Sequence, residues 1–497
     1  MKNSIKIAAL LVAFIVGACS DLQEDPKGLL SPEGFFKTKK DVEAAVFGAY
    51  GRMASDYGWG GETQEAFMLL SDMVAVGQAA AAIQNFEIND FNIISTHYYS
   101  SVMWNRAYVI IGAANNAILG AQQIDASDAV KKPLEAEARV IRAFIYFTFV
   151  QVFGDMPYLD KAVTEPDAVS TMSKTSVADI YKNIIADLEF GIEQLPMKYS
   201  NNVRTRATAG TAATILASVY LTLENWQKAY ENAKWVIDHA GDLGYSLVTD
   251  YQDLFNATKQ DGISEHIFAV DFLGGQRGTD NFDLIPPLTG NNFTSGWSII
   301  IPSMAVYDNW DSRDYRKKVS FADTITANGV AHPYTEFFVP RPYIAKYWRY
   351  PGIINGCCLS DQNYVLYRYA EVLLIAAEAM NEISGPTAEA LGYVNQIRGR
   401  ARIWPDHVSD FPGNVSSGLS KDEFRNLILE ERRLELAFEY KRWFDIKRRK
   451  LGDEVFKGPN SLEPHANFDS NKHYLLPIPQ TELNINPNLA PQNPGYN

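Results

Sequence analysis

The sequence predicts a mostly α-helical protein, a tetratricopeptide-like helical platform carrying long inserted loops and a few short strands. Three observations carry that expectation. Apolar residues recur at helical spacing behind recognisable caps over much of the chain. Two of these helices pair through small residues and aromatics, as helices do in a tetratricopeptide unit. Residues 241–362 break the pattern, being rich in Gly, Pro, Asn and aromatics. With 46% hydrophobic and 21% charged residues, the 497-residue chain has the composition of a globular protein with a large core. Its formal net charge of −14 disfavours nucleic acid and anionic lipid headgroups as partners.

The chain opens with a targeting segment. Lys2 and Lys6 form a positive region, followed by the apolar run Ile7 to Val16, too short to span a bilayer as a stable helix. Val16-Gly17-Ala18-Cys19 then reads as a lipobox, in which small residues fit a peptidase cleft and Cys19 takes the lipid. An ordinary signal peptide with a stray cysteine is the alternative. Cleavage before Cys19 removes Lys2 and Lys6 and leaves a net charge of −16. Residues 1–18 are therefore expected to be a lipoprotein signal and residues 19–28, acidic and broken by Pro26, a tether. Cys357 and Cys358 are neighbours that can close only a strained ring, so no disulfide framework is expected.

Residues 29–240 read as an N-terminal helical region. Stretches 102–121 and 134–153 form a loose helical pair. Ser176-Val177-Ala178-Asp179 opens a helix with Ile180, Ile184, Leu188, Ile192 and Leu195 on one stripe and Pro196 as its stop. Residues 207–223 are apolar almost all round and predict a buried helix. Asn225 caps the next, whose face of Trp226, Ala229, Tyr230, Ala233, Ile237 and Ala240 ends at Gly241. Ala213, Leu216, Ala217 and Tyr220, followed by Trp226 and Ala229, carry the tetratricopeptide pattern.

Residues 241–362 are expected to be a loop-rich, ligand-facing insertion with short strands at Ile267–Phe272 and Trp297–Ile301. Loops longer than about 15 residues are usually functional. Residues 363–497 form a C-terminal region, with a first helix at 363–382 and a second through Ala390, Val394 and Ile397, and a Pro- and Asn-rich tail that wraps the helical body. Ser420-x-x-Glu423 opens a helical run from Phe424 to Arg448. In it Glu431, Glu435 and Glu439 repeat at four-residue spacing, as do Phe438 and Arg442. Arg368, Glu371 and Glu378 share a face of the 363–382 helix amid apolar residues. Charges so placed act as buried ion pairs that fix helix packing, a ligand clamp being the alternative.

No HExxH, GxSxG or Walker A pattern occurs, and the seven histidines are scattered. Enzyme activity, a cofactor and a metal site are not expected, although two carboxylates of a glycosidase would leave no such signature.

Family resemblance is carried by four groups of residues. Arg139-x-x-Arg142-Ala143-Phe144-x-Tyr146-Phe147 precedes Phe153-Gly154-Asp155-Met156-Pro157. Tyr367 to Leu374 is followed by Ala377-Glu378-Ala379 and by Val394-Asn395-Gln396-Ile397-Arg398. Glu431-Arg432-Arg433 runs on to Arg442-Trp443-Phe444-Asp445, and Leu476-Pro477-Ile478-Pro479 leads to the ending Gln492 to Tyr496. In this order, behind a lipobox, they resemble the SusD/RagB family over residues 19–240 and 363–497. The resemblance implies a lipid-anchored outer-membrane protein, facing the cell exterior, that captures oligosaccharide for a SusC-like TonB-dependent transporter. A peptide-binding member, a surface glycoside hydrolase and a tetratricopeptide scaffold that binds only proteins are the alternatives. It does not name the substrate, because residues 241–362 match poorly beyond Tyr307-x-x-Trp310-Asp311-x-Arg313-Asp314.

Sugars present flat, weakly positive C–H faces that aromatic rings complement. Trp59, Trp297, Tyr343 and Trp348 are the candidate stacking residues, the first two favoured because neighbouring glycine suits exposed loop backbone. A core role is the alternative for each.

Overall fold

Helices with one buried face build the framework. The structure, a computed structural model, describes residues 35–54, 58–77, 81–163, 169–272, 283–294, 296–348 and 360–496. The signal segment, Cys19 and its tether, and Cys357 and Cys358 lie outside the described residues.

Helix α1 (Lys39–Met53) starts at a capping box of Thr38 and Asp41 and buries Val42, Val46, Ala49 and Met53. The short α2 (Glu62–Leu69) leads to strand β1 (Val74–Val76). Two 26-residue helices follow, α3 (Tyr98–Gln123) and α4 (Asp128–Phe153), packed on each other and on α1. The Arg139-x-x-Arg142 motif faces α5 (Val177–Gln194). Arg142 makes two 2.8 Å hydrogen bonds to Asp187 of α5 and a third to Asn115 of α3, so one guanidinium ties three helices. Ser176 caps α5 as expected, its hydroxyl accepting the Asp179 amide.

The expected buried helix is α6 (Ala209–Thr222), in which twelve of fourteen residues are buried. It packs on α7 (Trp226–Asp238), which Asn225 caps. Gly241 is not the stop. It sits within a further turn, Ala240–Leu243, and Gly244 with φ of 69° ends the chain of turns. Only the left-handed position needs glycine.

Strand β2 (His266–Val270) pairs with β8 (Tyr364–Arg368), and this pairing corrects the expected helix start at 363. Tyr364-Val365-Leu366-Tyr367 is an aromatic and β-branched run that suits a strand. Arg368 is therefore the N-cap of α8 (Tyr369–Ser384), not a member of its face. Between them lie β3 (Ile300–Pro302), antiparallel to β1; β4 (Phe321–Ala322), antiparallel to β7 (Tyr343–Ile344); and the hairpin of β5 (Thr324–Ala327) and β6 (Val330–Pro333). Each is a two-stranded ribbon.

Helix α9 (Ala388–Ala401) pairs with α8, and α10 (Lys421–Glu435) packs across both behind the Ser420–Glu423 capping box. The run to Arg448 is not one helix. Phe438 and Tyr440 take left-handed φ of 63° and 59°, and the chain restarts as α11 (Arg442–Arg448). The tail closes on α4: the Leu476 amide donates to Val152, and the Asn493 side chain donates to the Phe153 and Leu476 carbonyls.

Candidate ligand-binding surface

A second, smaller core lies under the insertion. Ala75, Ile301, Ala322, Ile325, Phe337, Tyr343 and Ala345 are buried together, with Phe293, Tyr334, Val339 and Trp348 packed against them. This core joins β1, β3, β4, β5 and β7 into a base from which aromatic side chains emerge. Trp297 keeps 41% of its surface exposed and Phe338 62%. Trp297 is held by its backbone, its amide donating to the Pro287 carbonyl at 2.6 Å. Beside it Gly296 approaches Gly290 so closely that a Cβ would lie 2.1 Å from the Gly290 carbonyl carbon. Glycine here serves both a tight contact and an exposed neighbour. The Phe338 amide donates to Asn292 Oδ1 at 3.2 Å, and the Phe293 ring stacks on His332 at 4.4 Å. His332 in turn contacts Glu336 at 2.9 Å. The surface thus combines exposed ring faces with amide and carboxylate groups.

Sequence reasoning missed Phe293, Phe338 and the β5–β6 hairpin. The signal was present: Asn328-Gly329, with φ of 51° and 79°, is a strong hairpin dipeptide.

Trp59 and Tyr343 are corrections. Both rings are fully buried, so neither has a face to offer a ligand. Trp59 lies 5.0 Å from the Phe144 ring and 6.2 Å from Phe149, in the main core. Its neighbour Gly60 is small because the Phe272 ring occupies the space a Cβ would need. Glycine beside an aromatic marked close packing here, not exposure. Tyr343 sits in β7 against Phe337 at 5.5 Å. Trp348 is half-buried on the second core.

The charged residues singled out from sequence lie in a buried network. Arg368 reaches Glu265 at 2.9 Å and Glu439 at 2.8 Å, and also Glu435. Arg316, fully buried and not anticipated, holds Glu431 at 2.6 Å and Asp314 at 2.7 Å. Glu371 meets Arg432 and Lys441, Glu378 meets Arg448, and Arg442 grips Asp72 at 2.7 Å from α11 to the loop after α2. Burial raises the Glu435 carboxyl, but Arg400, Arg368 and Arg316 overcome it and hold it well below the usual range. Burial pushes the Lys346 ammonium down to about 8 despite Glu439 at 2.8 Å.

Residues 339–496 match the model of the SusD family, and residues 33–221 match one described as starch-binding associating with outer membrane. A SusD-like protein of Formosa agariphila is 44% identical over 508 residues, covering 99% of each chain. The chain belongs to the SusD family. Among solved structures, a SusD homologue from Bacteroides thetaiotaomicron superposes with a TM-score of 0.80 at 22% identity, over 94% of this chain and 98% of that one. A laminarin-binding SusD-like protein gives 0.78 at 23% identity, over 93% and 100%. The two SusD matches bracket residues 222–338, which neither family model spans and where Trp297, Phe293 and most of the second core reside. The exposed rings of Trp297 and Phe338 thus lie in the stretch that neither family model spans.

Proposed function

We propose that this SusD-family protein is a lipid-anchored, outer-membrane glycan-binding protein. It captures oligosaccharide at the cell surface and passes it to a SusC-like TonB-dependent transporter. It holds the sugar without turning it over, and its ligand meets the insertion surface around Trp297. The observation that carries this reading is the half-exposed Trp297 ring, fixed by its backbone amide on the Pro287 carbonyl, on a SusD framework. A ring face stacks on a pyranose, and flanking polar groups orient the hydroxyls. The laminarin-binding relative supports a neutral β-glucan as the first ligand to try. Cys19 carries the acyl anchor in this reading.

The test is retention of the purified protein on immobilised laminarin and other glycans, with product analysis alongside. Binding without product, weakened in Trp297→Ala, is the expected result. Release of shorter sugars would make the protein a hydrolase, and retention of peptides alone would make it a peptide binder.

A further inference from the structure

A cleft of about 390 Å³ opens between the C-terminal half of α1, the loop at residues 203–206 and the end of β2. It shares no lining residue with the Trp297 surface. We infer that this cleft is a second subsite for a neutral sugar, formed by Phe47, Thr205, Arg206 and Asp271. The inference rests on the glycan-binding reading above and deepens it.

The cleft has the size of a small-molecule site and a mixed wall. Phe47 lines it half exposed, with one ring face beneath the Arg206 guanidinium. Arg206 is rigidly held: Nε and Nη2 make 2.8 and 2.7 Å bonds to Glu137, and the guanidinium lies 4.2 Å from the Tyr199 ring centroid and 5.1 Å from that of Phe47. Glu137 is itself fixed by the Tyr50 hydroxyl at 2.9 Å. Arg206 and Thr205 stand side by side on the loop between α5 and α6. Both line the cleft. Asp271, just past β2, adds a carboxylate to the lining; it shares a hydrogen bond with the Asn363 side chain, and partial desolvation with the Asp261 charge raises it above the ordinary range.

Such a set offers one apolar face, donors from a positioned guanidinium and an acceptor carboxylate, which is what a pyranose with alternating C–H and hydroxyl surfaces requires. Charge decides which sugar. The Arg206 charge is already answered by Glu137, while Asp271 and Asp261 leave the wall negative, on a chain of net charge −14. Uronic-acid or sulfated units would meet net repulsion there, and neutral hexoses would not.

The experiment is calorimetric titration of the purified protein and its Phe47→Ala, Asp271→Asn and Trp297→Ala variants. The probes are laminarihexaose, maltohexaose, cellohexaose, hexagalacturonate and a casein digest. The expected result is that a neutral hexasaccharide bound by wild type loses roughly tenfold in affinity in Phe47→Ala and in Asp271→Asn, the size of a lost anchoring contact. Melting temperatures should stay at the wild-type value, and Asp271→Asn keeps the test open if Phe47→Ala fails to fold. Two results overturn the subsite: wild-type affinity in both folded variants, or hexagalacturonate or casein peptides as the ligand whose binding depends on Phe47. Loss in Trp297→Ala with no loss in the cleft variants defeats the second subsite alone. Failure of wild type to bind any of the hexasaccharides defeats the glycan reading with it.

Discussion

Two tryptophans beside glycine lead opposite lives in this protein, and substitution separates them. Trp297→Ala removes a ring that is 41% exposed, so melting should hardly change, while glycan binding should weaken by about 1 kcal/mol or more. Trp59→Ala empties a buried site against Phe144 and should cost about 3–5 kcal/mol in chemical denaturation. A Trp59→Ala variant with wild-type stability and lost binding would reverse the assignment. The tryptophan could not be read from its neighbours in sequence because glycine serves two purposes. It permits turns, and it lets another chain segment pack where a Cβ would stand, as Phe272 does over Gly60 and Gly290 over Gly296. Only the distant partner decides between them. Histidine gives a further test at this scale. His266 is buried, its ring contacting the Leu254 carbonyl, and burial pushes its pKa down to about 4. A histidine that folds neutral contributes stability above its unfolded pKa near 6.5 and loses it as pH falls toward 4. The protein should therefore weaken on acidification across that window, and His266→Gln should reduce the stability lost across it by up to about 3 kcal/mol in total. An unchanged slope of stability against pH in the variant would exclude His266 as a contributor.

At the scale of elements, caps and apolar stripes were legible and breaks within charged runs were not. Ser176, Asn225 and Ser420 each cap the helix their sequence announced. The run from Phe424 to Arg448 carries no Pro or Gly, yet it turns at Phe438 and Tyr440 with left-handed backbone. What forces the turn is tertiary: the Glu439 carboxylate reaches Arg368 and Lys346, and Arg442 reaches Asp72, neither of them local contacts. Likewise residues 364–368 become strand because β2 waits as a partner. Arg442→Leu should strand the buried Asp72 carboxylate and cost about 3–5 kcal/mol, seen as a fall in melting temperature. A variant melting like wild type would mean that this ion pair does not hold α11 in place.

For the whole molecule, family membership was legible because its motifs are the framework itself. Arg142 ties α3, α4 and α5, and Arg368 starts α8 from inside the charge network. The ligand was not legible, because the motifs that carry the family are those of the helical framework and residues 241–362 hold few of them. If Cys19 bears the anchor, Cys19→Ala should move the protein from the outer-membrane fraction to the soluble or inner-membrane fraction on fractionation of cells. Unchanged outer-membrane retention would sink the lipobox assignment.

The charge network has a consequence for exchanging ligand preference between relatives. Glu265, Arg316 and Lys346 all belong to the 241–362 stretch, yet their partners Glu431, Glu435, Glu439, Arg368 and Arg400 belong to the C-terminal region beyond it. A transplanted insertion lacking those three charges would leave carboxylates of α10 and the turn beyond it with fewer cations, and Arg368 and Arg400 with one anion fewer. If ligand meets the Trp297 surface as proposed, its preference there would be exchanged in the segments between the charged posts, around Asn292, Trp297 and Phe338, while the posts themselves travel with the scaffold.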